Sequence, residues 1–387
     1  MTSSAPDDLI YLDHNATTPV APEVLDAMLP YLKGEYGNPS SDHTLGRRAH
    51  EAIDDARAQV AALIGAEPDE IVFTSGGTES NNIAIRGTAA TAEPDRRRIV
   101  TSQIEHPATA RPCELLEAQG WAISRVPVTD TGTVALDTIV DALDADVALL
   151  TVMLAQNETG AIMPVAGAAR AARQLGIVTH TDAAQAIGKI EVNVGSLGVD
   201  LLSIAGHKCY APKGVGALYV RDGTPLDPVL VGAGQERGLR PGTENVAHIV
   251  GLGAACHLAQ GRMEAEAARL RTLRDQLWLE LSVRIPGLER HTPAADTLPN
   301  TLMVSFPAAL GRDLLSRAPR LAASTGSACH AGRDTPGETL VAMGVPPHVA
   351  LGAVRLSLGH DNTAADIVEA VDILARAHRS ATTDAGT

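Results

Sequence analysis

Short apolar runs alternate with longer alanine-rich segments through residues 48–220, and this order constrains the fold more than any other feature. The runs have the length of buried strands, and the segments between them, such as 108–119 and 164–175, have the length of helices. A sheet with crossover helices produces this alternation, so the sequence predicts an α/β fold. The predicted strands are EIVFT (70–74), RIVTS (98–102), ALLTV (148–152), IVTHT (177–181), DLLSIA (200–205) and GALYV (216–220), and a further helix is predicted over 48–64.

The last of these strands is connected differently from the others. GALYV follows its predecessor after a short loop that contains Pro212 and Gly214. Parallel neighbours need a crossover of about a dozen residues or more, usually with a helix. We therefore expect one antiparallel neighbour in the sheet.

The pattern changes beyond residue 258. A long amphipathic helix is predicted over 259–284, and a second helix is predicted from about Thr363, where Asp366 completes a capping box. Strand-like stretches lie between them, so a smaller α+β domain is predicted here, followed by a disordered tail, TTDAGT. The strand-like stretches are 301–306, 319–325 and 353–358, and the helix leucines are Leu270, Leu273, Leu277 and Leu281.

Composition excludes some classes of partner. The formal net charge of the 387 residues is −15, which argues against a nucleic-acid backbone or an anionic membrane as the main partner. The N-terminus, MTSSAPDD, lacks the regions of a secretory signal, and the longest apolar run, 147–155, is too short to span a bilayer. The four cysteines form no C-x-x-C pair, which is typical of free thiols in a reducing compartment. We therefore expect a cytoplasmic protein.

The segment FTSGGTESNN (73–82) follows a predicted strand directly. Gly76 and Gly77 allow close backbone approach, and Thr78 opens a helix whose free N–H groups favour an anion. This predicts a phosphate site, for which the alternative is a plain strand–turn–helix junction. No Gly-Lys-Ser/Thr follows, so the segment is not a P-loop.

Two strand ends carry an acid and a lysine. Asp182 ends one predicted strand, and His207 and Lys208 follow the next, framed by Gly206. A lysine that forms a Schiff base must reach a buried carbonyl, and a pyridoxal cofactor needs a carboxylate on its ring nitrogen. Asp182 and Lys208 could supply both, although a lone lysine at a strand end is more often a solvated surface residue.

Three further residues are candidates for binding. His106 in IEHPA could stack on an aromatic cofactor and act as a catalytic proton relay, or could be a turn residue ahead of Pro107. Asn157 follows another strand, and Arg355 lies between apolar strand residues, where it needs a substrate carboxylate or a structural ion-pair partner. His43 and His50 are one heptad apart but lack further ligands, so no metal site is predicted.

Cys329 lies in STGSACHAGRDTPGE (324–338), among small, polar and helix-breaking residues. A structural cysteine is usually packed among apolar side chains, where its thiol is inert. This setting predicts a reactive thiol on a mobile loop, with His330 beside it to help lower the thiol pKa.

The chain resembles the cysteine desulfurases, pyridoxal-phosphate enzymes of fold type I and the class V aminotransferase group. The resemblance covers about residues 11–358 and implies a large domain with a mixed, mostly parallel seven-stranded sheet and a smaller α+β domain. We expect an N-terminal arm (1–15) that packs with the small domain, a large pyridoxal 5'-phosphate-binding domain (16–258) and a small C-terminal domain (259–380). The resemblance rests on YLDHNATTPV, GNPSS, FTSGGTESNN, IEHP, NETG, HTDAAQ, GHK, GALYV, QERGLRPGTEN, PNTLMVSF and RLSLG, in that order.

The resemblance also implies roles for single residues. Lys208 would form the Schiff base, Asp182 would pair with the pyridine nitrogen, Gln185 would contact the ring oxygen and His106 would stack on the ring. Gly77, Thr78 and His207 would bind the phosphate, and Thr243 would reach the phosphate of a partner subunit in a homodimer. Asn157 and Arg355 would hold the carboxylate of L-cysteine, and Cys329 would take its sulfur as a persulfide for an acceptor protein, leaving L-alanine.

Two features leave alternatives open. Many desulfurases have a serine two residues before the histidine of GHK, where this chain has Ala205. That alanine, together with ACH, AMGVP and QERGLRPGTEN, is similar to selenocysteine lyases, which run nearly the same chemistry on L-selenocysteine. Cysteine desulfurases are the broader class, so sulfur is favoured. Another class V aminotransferase or lyase, and a catalytically silent scaffold, are the remaining alternatives.

Overall fold

The computed structural model describes residues 9–325, 327–330 and 333–384; positions 327–330, 333, 334 and 384 are described by their backbone alone. Fifteen strands and twelve α-helices lie within these ranges. The strands are β1 Ile10–Tyr11, β2 Ile71–Thr74, β3 Arg98–Ser102, β4 Ala122–Val126, β5 Val147–Thr151, β6 Val178–Asp182, β7 Leu201–Ala205, β8 Gly216–Val220, β9 Glu289–Arg290, β10 Thr301–Ser305, β11 Leu321–Ala322, β12 Ser324–Thr325, β13 Ser327–His330, β14 Arg333–Pro336 and β15 Ala353–Ser357. The helices are α1 Pro22–Lys33, α2 Thr44–Ile64, α3 Gly77–Thr91, α4 Pro107–Ala118, α5 Leu136–Asp141, α6 Val165–Gln174, α7 Val194–Leu197, α8 Val246–Arg284, α9 Gly311–Ser316, α10 Glu338–Ala342, α11 Pro347–Ala350 and α12 Ala364–Asp384.

The central sheet has seven strands in the order β2-β8-β7-β6-β5-β3-β4. β8 runs antiparallel to both β2 and β7, and the other neighbours are parallel. Every residue of β5 and β7 is buried, as expected for parallel strands that are covered by helices on both faces. The predicted α/β sheet is therefore confirmed, including the antiparallel neighbour GALYV.

α8 links two hydrophobic clusters. Its first half packs on α1 and α2 and contributes Leu252 and Cys256 to the cluster around the central sheet. Its second half contributes Leu277 to a cluster formed with β10, β15 and α12. The helix begins at Val246, so its predicted start at residue 259 was wrong. The domain boundaries proposed at 15/16 and 258/259 stay predictions.

The second cluster covers a four-stranded antiparallel sheet in the order β12-β15-β10-β9. Arg355 lies in its β15, opposite Ser324 of β12 and Met303 of β10. The N-terminal arm reaches the same region, because β1 pairs with β11 and Asp13 bridges to Ser357. The predicted strands at 301–306 and 353–358 are confirmed within one residue.

Two expectations near the C-terminus need correction. The segment with Cys329 was predicted to be a loop, but its backbone forms a hairpin in which Cys329 of β13 pairs with Asp334 of β14. α12 continues to Asp384, so the tail predicted to be disordered is helical over residues 382–384. The predicted capping box is confirmed, since Thr363 and Asp366 bond each other's backbone N–H groups.

In the described part of the chain, no helix is both long enough and apolar enough to cross a bilayer. The cytoplasmic location stays a prediction.

Candidate active site

A cavity of about 420 Å³ lies where β6 and β7 end and α3 begins. Ligands of α/β sheets bind at the carboxyl ends of the strands, and this cavity has that position. It brings together residues from seven separate segments of the sequence. The predicted site residues on its wall are Gly77, Thr78, His106, Asn157, Asp182, Gln185, His207, Lys208 and Arg355.

Asp182 is the last residue of β6 and is 7% exposed. Its Oδ1 accepts from the Ala184 backbone N–H at 2.9 Å, and its Oδ2 accepts from Asn81 Nδ2 at 2.7 Å. Asn81 is itself held by Thr109 Oγ1 at 3.0 Å, so the carboxylate has a fixed orientation. A buried carboxylate on the cavity wall is suited to a cationic N–H group of a ligand.

Lys208 ends the helical turn that follows β7. Its Nζ donates to the backbone carbonyls of Asn15 at 2.6 Å and Ala16 at 2.8 Å. Burial, followed by the nearby Arg355 guanidinium, lowers the pKa of Lys208 from 10.5 to about 8, although Asp182 and Asp13 act in the opposite direction. A substantial neutral fraction is therefore present near pH 8, as a nucleophilic lysine requires.

The first turn of α3 closes another side of the cavity. Gly76 precedes it with φ 144° and ψ −178°, a conformation that side-chain-bearing residues rarely adopt. The free N–H groups of this turn and the helix dipole attract an anion. His207 stands beside it, and burial, followed by the charge of Lys208, lowers the pKa of its imidazole to about 4. His207 is therefore neutral at pH 7.

His106 is the N-cap of α4 and is exposed to the cavity. Its Nδ1 accepts from the Ala108 backbone N–H at 3.1 Å, which places the hydrogen of the neutral ring on Nε2. Burial among protein atoms lowers the pKa of His106, an effect that Lys208 strengthens and Asp182 opposes. The ring is thus a neutral donor with its second nitrogen free for a ligand.

Arg355 is 8% exposed and is held on two sides. Its Nη2 donates to Asp13 Oδ1 at 2.8 Å, and its Nη1 donates to the backbone carbonyl of Asn157 at 3.1 Å. Its Nε is buried and has no partner among the described atoms. Arg355 therefore forms a structural ion pair with Asp13 and also lines the cavity, so the two roles that the sequence offered as alternatives are compatible.

Asn15 and Asp13 were missed as site residues by the sequence reasoning. Asn15 joins the two parts of the fold, because its Nδ2 donates to Thr301 Oγ1 at 2.8 Å and to the Asn157 carbonyl at 3.1 Å. Both residues lie in the segment YLDHNATTPV, which was the available signal. Their partners lie 142 to 342 residues away along the chain, so local patterns could not assign a role.

Glu158 was also missed, although it lies in the segment NETG. Its Oε1 accepts from Thr339 Oγ1 at 2.9 Å, and Thr339 in turn accepts from Gln156 Nε2 at 3.0 Å. Only Gly337 and Glu338 separate Thr339 from the end of the β13–β14 hairpin. The segment around Asn157 is thereby tied to the base of the hairpin that carries Cys329.

Two predicted site residues are not placed in the cavity. Thr243 is exposed and does not line the cavity of its own chain. Its loop is anchored by Glu236, which accepts from Arg57 at 2.7 and 2.8 Å and from the Phe73 backbone N–H at 2.7 Å. The side chain of Cys329 lies outside the described residues, as does that of His330.

Comparison with known proteins gives the family. Residues 10–370 match the family model described as aminotransferase class-V. The chain belongs to this family. This class-V aminotransferase is 45% identical over 369 residues to a cysteine desulfurase IscS from Dictyoglomus turgidum. The alignment covers 95% of this chain and 94% of that protein. The resemblance stated from the motifs is thus confirmed.

Two solved structures agree with this fold. A NifS-like protein superposes with a TM-score of 0.90 at 37% identity, covering 95% of this chain and 98% of that one. A structure described as SspA in complex with cysteine superposes with a TM-score of 0.79 at 34% identity, covering 90% of this chain and 98% of that one. Fold type I is therefore confirmed.

The family uses pyridoxal 5'-phosphate, and the cavity fits this group. A fixed carboxylate, a lysine with a lowered pKa and the start of a helix line one cavity, and they match a pyridine nitrogen, an aldehyde and a phosphate. Arg355 on the same wall adds a positive charge that suits a substrate anion. The residues present therefore suit both the cofactor and an amino acid carboxylate.

Proposed function

We propose that the protein is a pyridoxal 5'-phosphate-dependent L-cysteine desulfurase, which converts L-cysteine to L-alanine and transfers the sulfur to Cys329 as a persulfide. The observation that carries this proposal is the cavity that combines Asp182, Lys208 and Arg355, within a chain 45% identical to a cysteine desulfurase. The relative's activity supports the sulfur chemistry, and the cavity supplies groups for the cofactor and for an α-carboxylate.

Lys208, Asp182, Gln185 and His106 would hold the cofactor ring, and Gly77, Thr78 and His207 would hold its phosphate. When bound, the cofactor supplies an electron sink for the charge that develops on the substrate Cα. Asp182 would favour that function because its carboxylate would stabilise a protonated ring nitrogen.

The chain's own residues then orient the substrate and move its proton. Arg355 and Asn157, which both line the cavity, would hold the substrate carboxylate. Lys208 Nζ, whose pKa of about 8 leaves part of it neutral, would accept the Cα proton. His106 carries a free Nε2 hydrogen on the cavity wall and would donate to a ligand there.

The sulfur transfer step is proposed for Cys329. Its thiolate attacks the substrate sulfur, a new S–S bond forms and the C–S bond breaks. L-cysteine and the Cys329 thiol thus become L-alanine and a Cys329 persulfide, with no outside oxidant or reductant. The terminal sulfur would pass to an acceptor protein, for iron–sulfur cluster assembly or for thiolation.

We propose a homodimer in which Thr243 serves the partner's phosphate site. Thr243 is exposed in its own chain, on a loop anchored by Glu236 and by the 3.1 Å bond from Arg240 Nε to Glu79. Large apolar side chains near this loop and on and just after α1 are exposed, as expected for a buried subunit interface. They are Leu25, Leu32, Tyr36, Leu230 and Val231.

The proposal is tested by supplying the purified protein with L-cysteine and a reducing thiol and measuring L-alanine and sulfide. Equal amounts of both are expected. Transfer of the amino group to an oxo acid, with no L-alanine formed, would contradict the proposal and favour another class V aminotransferase. No turnover of either kind, with cofactor bound, would favour the scaffold alternative.

A selenocysteine lyase is the second candidate, because Ala205 stands on the cavity wall where many desulfurases have serine. Comparing turnover of L-cysteine and L-selenocysteine decides between the two. Alanine production from both at similar rates, or from L-cysteine alone, supports the desulfurase. Production from L-selenocysteine alone supports the lyase.

A further inference from the structure

Lys189 is a buried lysine outside the roles assigned above. It is 9% exposed, lies four residues after Gln185 and forms no ion pair with any carboxylate in the described part of the chain. Burying an amine costs free energy unless its hydrogen bonds are replaced. The groups that accept hydrogen bonds from the Lys189 amine therefore indicate its role.

Its contacts are two side-chain amide oxygens. Lys189 Nζ lies 2.7 Å from Gln185 Oε1 and 3.1 Å from Asn15 Oδ1. Gln185 Nε2 in turn donates to the Asn15 backbone carbonyl at 2.9 Å. An amine donates and a carbonyl accepts, so the bonds at Oε1 and Nε2 fix the orientation of the Gln185 amide from both ends.

Gln185 lines the cavity, which gives that orientation a consequence. Its oxygen is engaged by Lys189, so its nitrogen is the atom with a further hydrogen to offer to a ligand. The ring hydroxyl of pyridoxal 5'-phosphate, once ionised, is an acceptor and needs a donor. If the Gln185 amide were reversed, its oxygen would face the ionised ring oxygen, and two hydrogen-bond acceptors would lie together.

We propose that Lys189 is a positioning residue that holds the Gln185 amide with its N–H group toward the cofactor's ring oxygen. This inference rests on the proposed cofactor site. Asn15 strengthens it, because the carbonyl that accepts from Gln185 also accepts from Lys208 Nζ at 2.6 Å. Lys189, Gln185 and Lys208 are thus joined through a single residue.

The role does not depend on the charge of Lys189. Burial, followed by the nearby charge of Lys208, lowers the pKa of Lys189 well below its usual value. The neutral amine still has two hydrogens, one for each amide oxygen. Only the loss of the amine itself should release the Gln185 side chain.

The test compares Lys189→Met, Gln185→Leu and the double variant, with Lys33→Met as a surface control. The readout is the absorbance of the Lys208-bound cofactor as a function of pH. A donor to the ring oxygen favours the ionised form of that oxygen. Losing the donor should therefore raise the pH midpoint of the absorbance change by about one pH unit. Lys189→Met and Gln185→Leu should shift it alike, and the double variant should shift it no further.

Three results would overturn the inference: an unchanged midpoint in Lys189→Met, a midpoint that falls, or shifts that add in the double variant. A purely structural lysine would lower the melting temperature and leave the midpoint in place. Lys189→Leu replaces Lys189→Met if the latter does not fold. Wild-type protein is measured first, because failure to bind the cofactor on Lys208 or to make alanine would contradict the proposed function itself.

Discussion

Replacing Arg355 with lysine should weaken L-cysteine binding and leave the cofactor in place. The guanidinium reaches Asp13 through Nη2 and the Asn157 carbonyl through Nη1, and Arg355 also lines the cavity. A lysine ammonium keeps the charge but cannot supply donors in this planar arrangement.

The magnitude follows from the hydrogen bond that the substrate carboxylate would no longer accept from the Arg355 guanidinium. One hydrogen bond to a charged group contributes about 1.5–3 kcal/mol. The dissociation constant for L-cysteine should therefore rise by about 10-fold to 150-fold, since each 1.4 kcal/mol is a factor of ten. The absorbance of the bound cofactor should keep its wild-type maximum, because Asp182 and Lys208 are unchanged.

The assay is a titration of the cofactor absorbance with L-cysteine. Arg284→Lys is the matched control, because Arg284 pairs with Asp372 on the surface, where such pairs contribute little. An unchanged affinity in Arg355→Lys would refute the carboxylate role. Loss of the cofactor would show instead that Arg355 supports the cavity as a whole.

Three further predictions concern Lys208 and Glu236. Lys208→Ala should abolish the borohydride-reducible link to the cofactor, and mass spectrometry that placed the wild-type label on Lys189 or Lys213 would contradict the assignment. The rate at which apoprotein takes up pyridoxal 5'-phosphate should rise with pH through about 8 and then level off, because only the neutral Lys208 amine attacks the aldehyde; a rate that is flat from pH 7 to 9 would be inconsistent with the lowered pKa. Glu236→Gln should lower the unfolding free energy by about 3 kcal/mol by removing the buried carboxylate that pairs with the partly buried Arg57, whereas Glu117→Gln, in the exposed pair with Arg125, should change it by under about 1 kcal/mol in the same denaturant series.

The inner parallel strands of the seven-stranded sheet could be predicted because each is a short, mostly buried apolar run. β4 was missed since its edge position leaves Ala122 and Arg125 exposed, and its sequence carries no apolar alternation. The first half of α8 was missed for the opposite reason. Ala247, Leu252 and Cys256 are buried around the helix against α1 and α2, which leaves no single apolar stripe to detect.

The candidate site was predictable where single residues end strands, as Asp182 and Lys208 do. Its supporting contacts were not, because they join distant parts of the chain. Asn15 bonds Lys189, Thr301 and the backbone of Asn157, and each contact depends on how the N-terminal arm lies between the two sheets. Sequence periodicity describes local structure and carries no information on such contacts.

The most direct test of the central claim is to locate the sulfur after reaction with L-cysteine. Peptide mapping of the wild-type protein should find one extra sulfur on Cys329, and Cys329→Ser should lose nearly all alanine production while it still binds the cofactor and L-cysteine. Serine keeps the size and a donor but provides no thiolate. Full alanine production by Cys329→Ser, or a persulfide found only on Cys113, Cys209 or Cys256, would contradict the account.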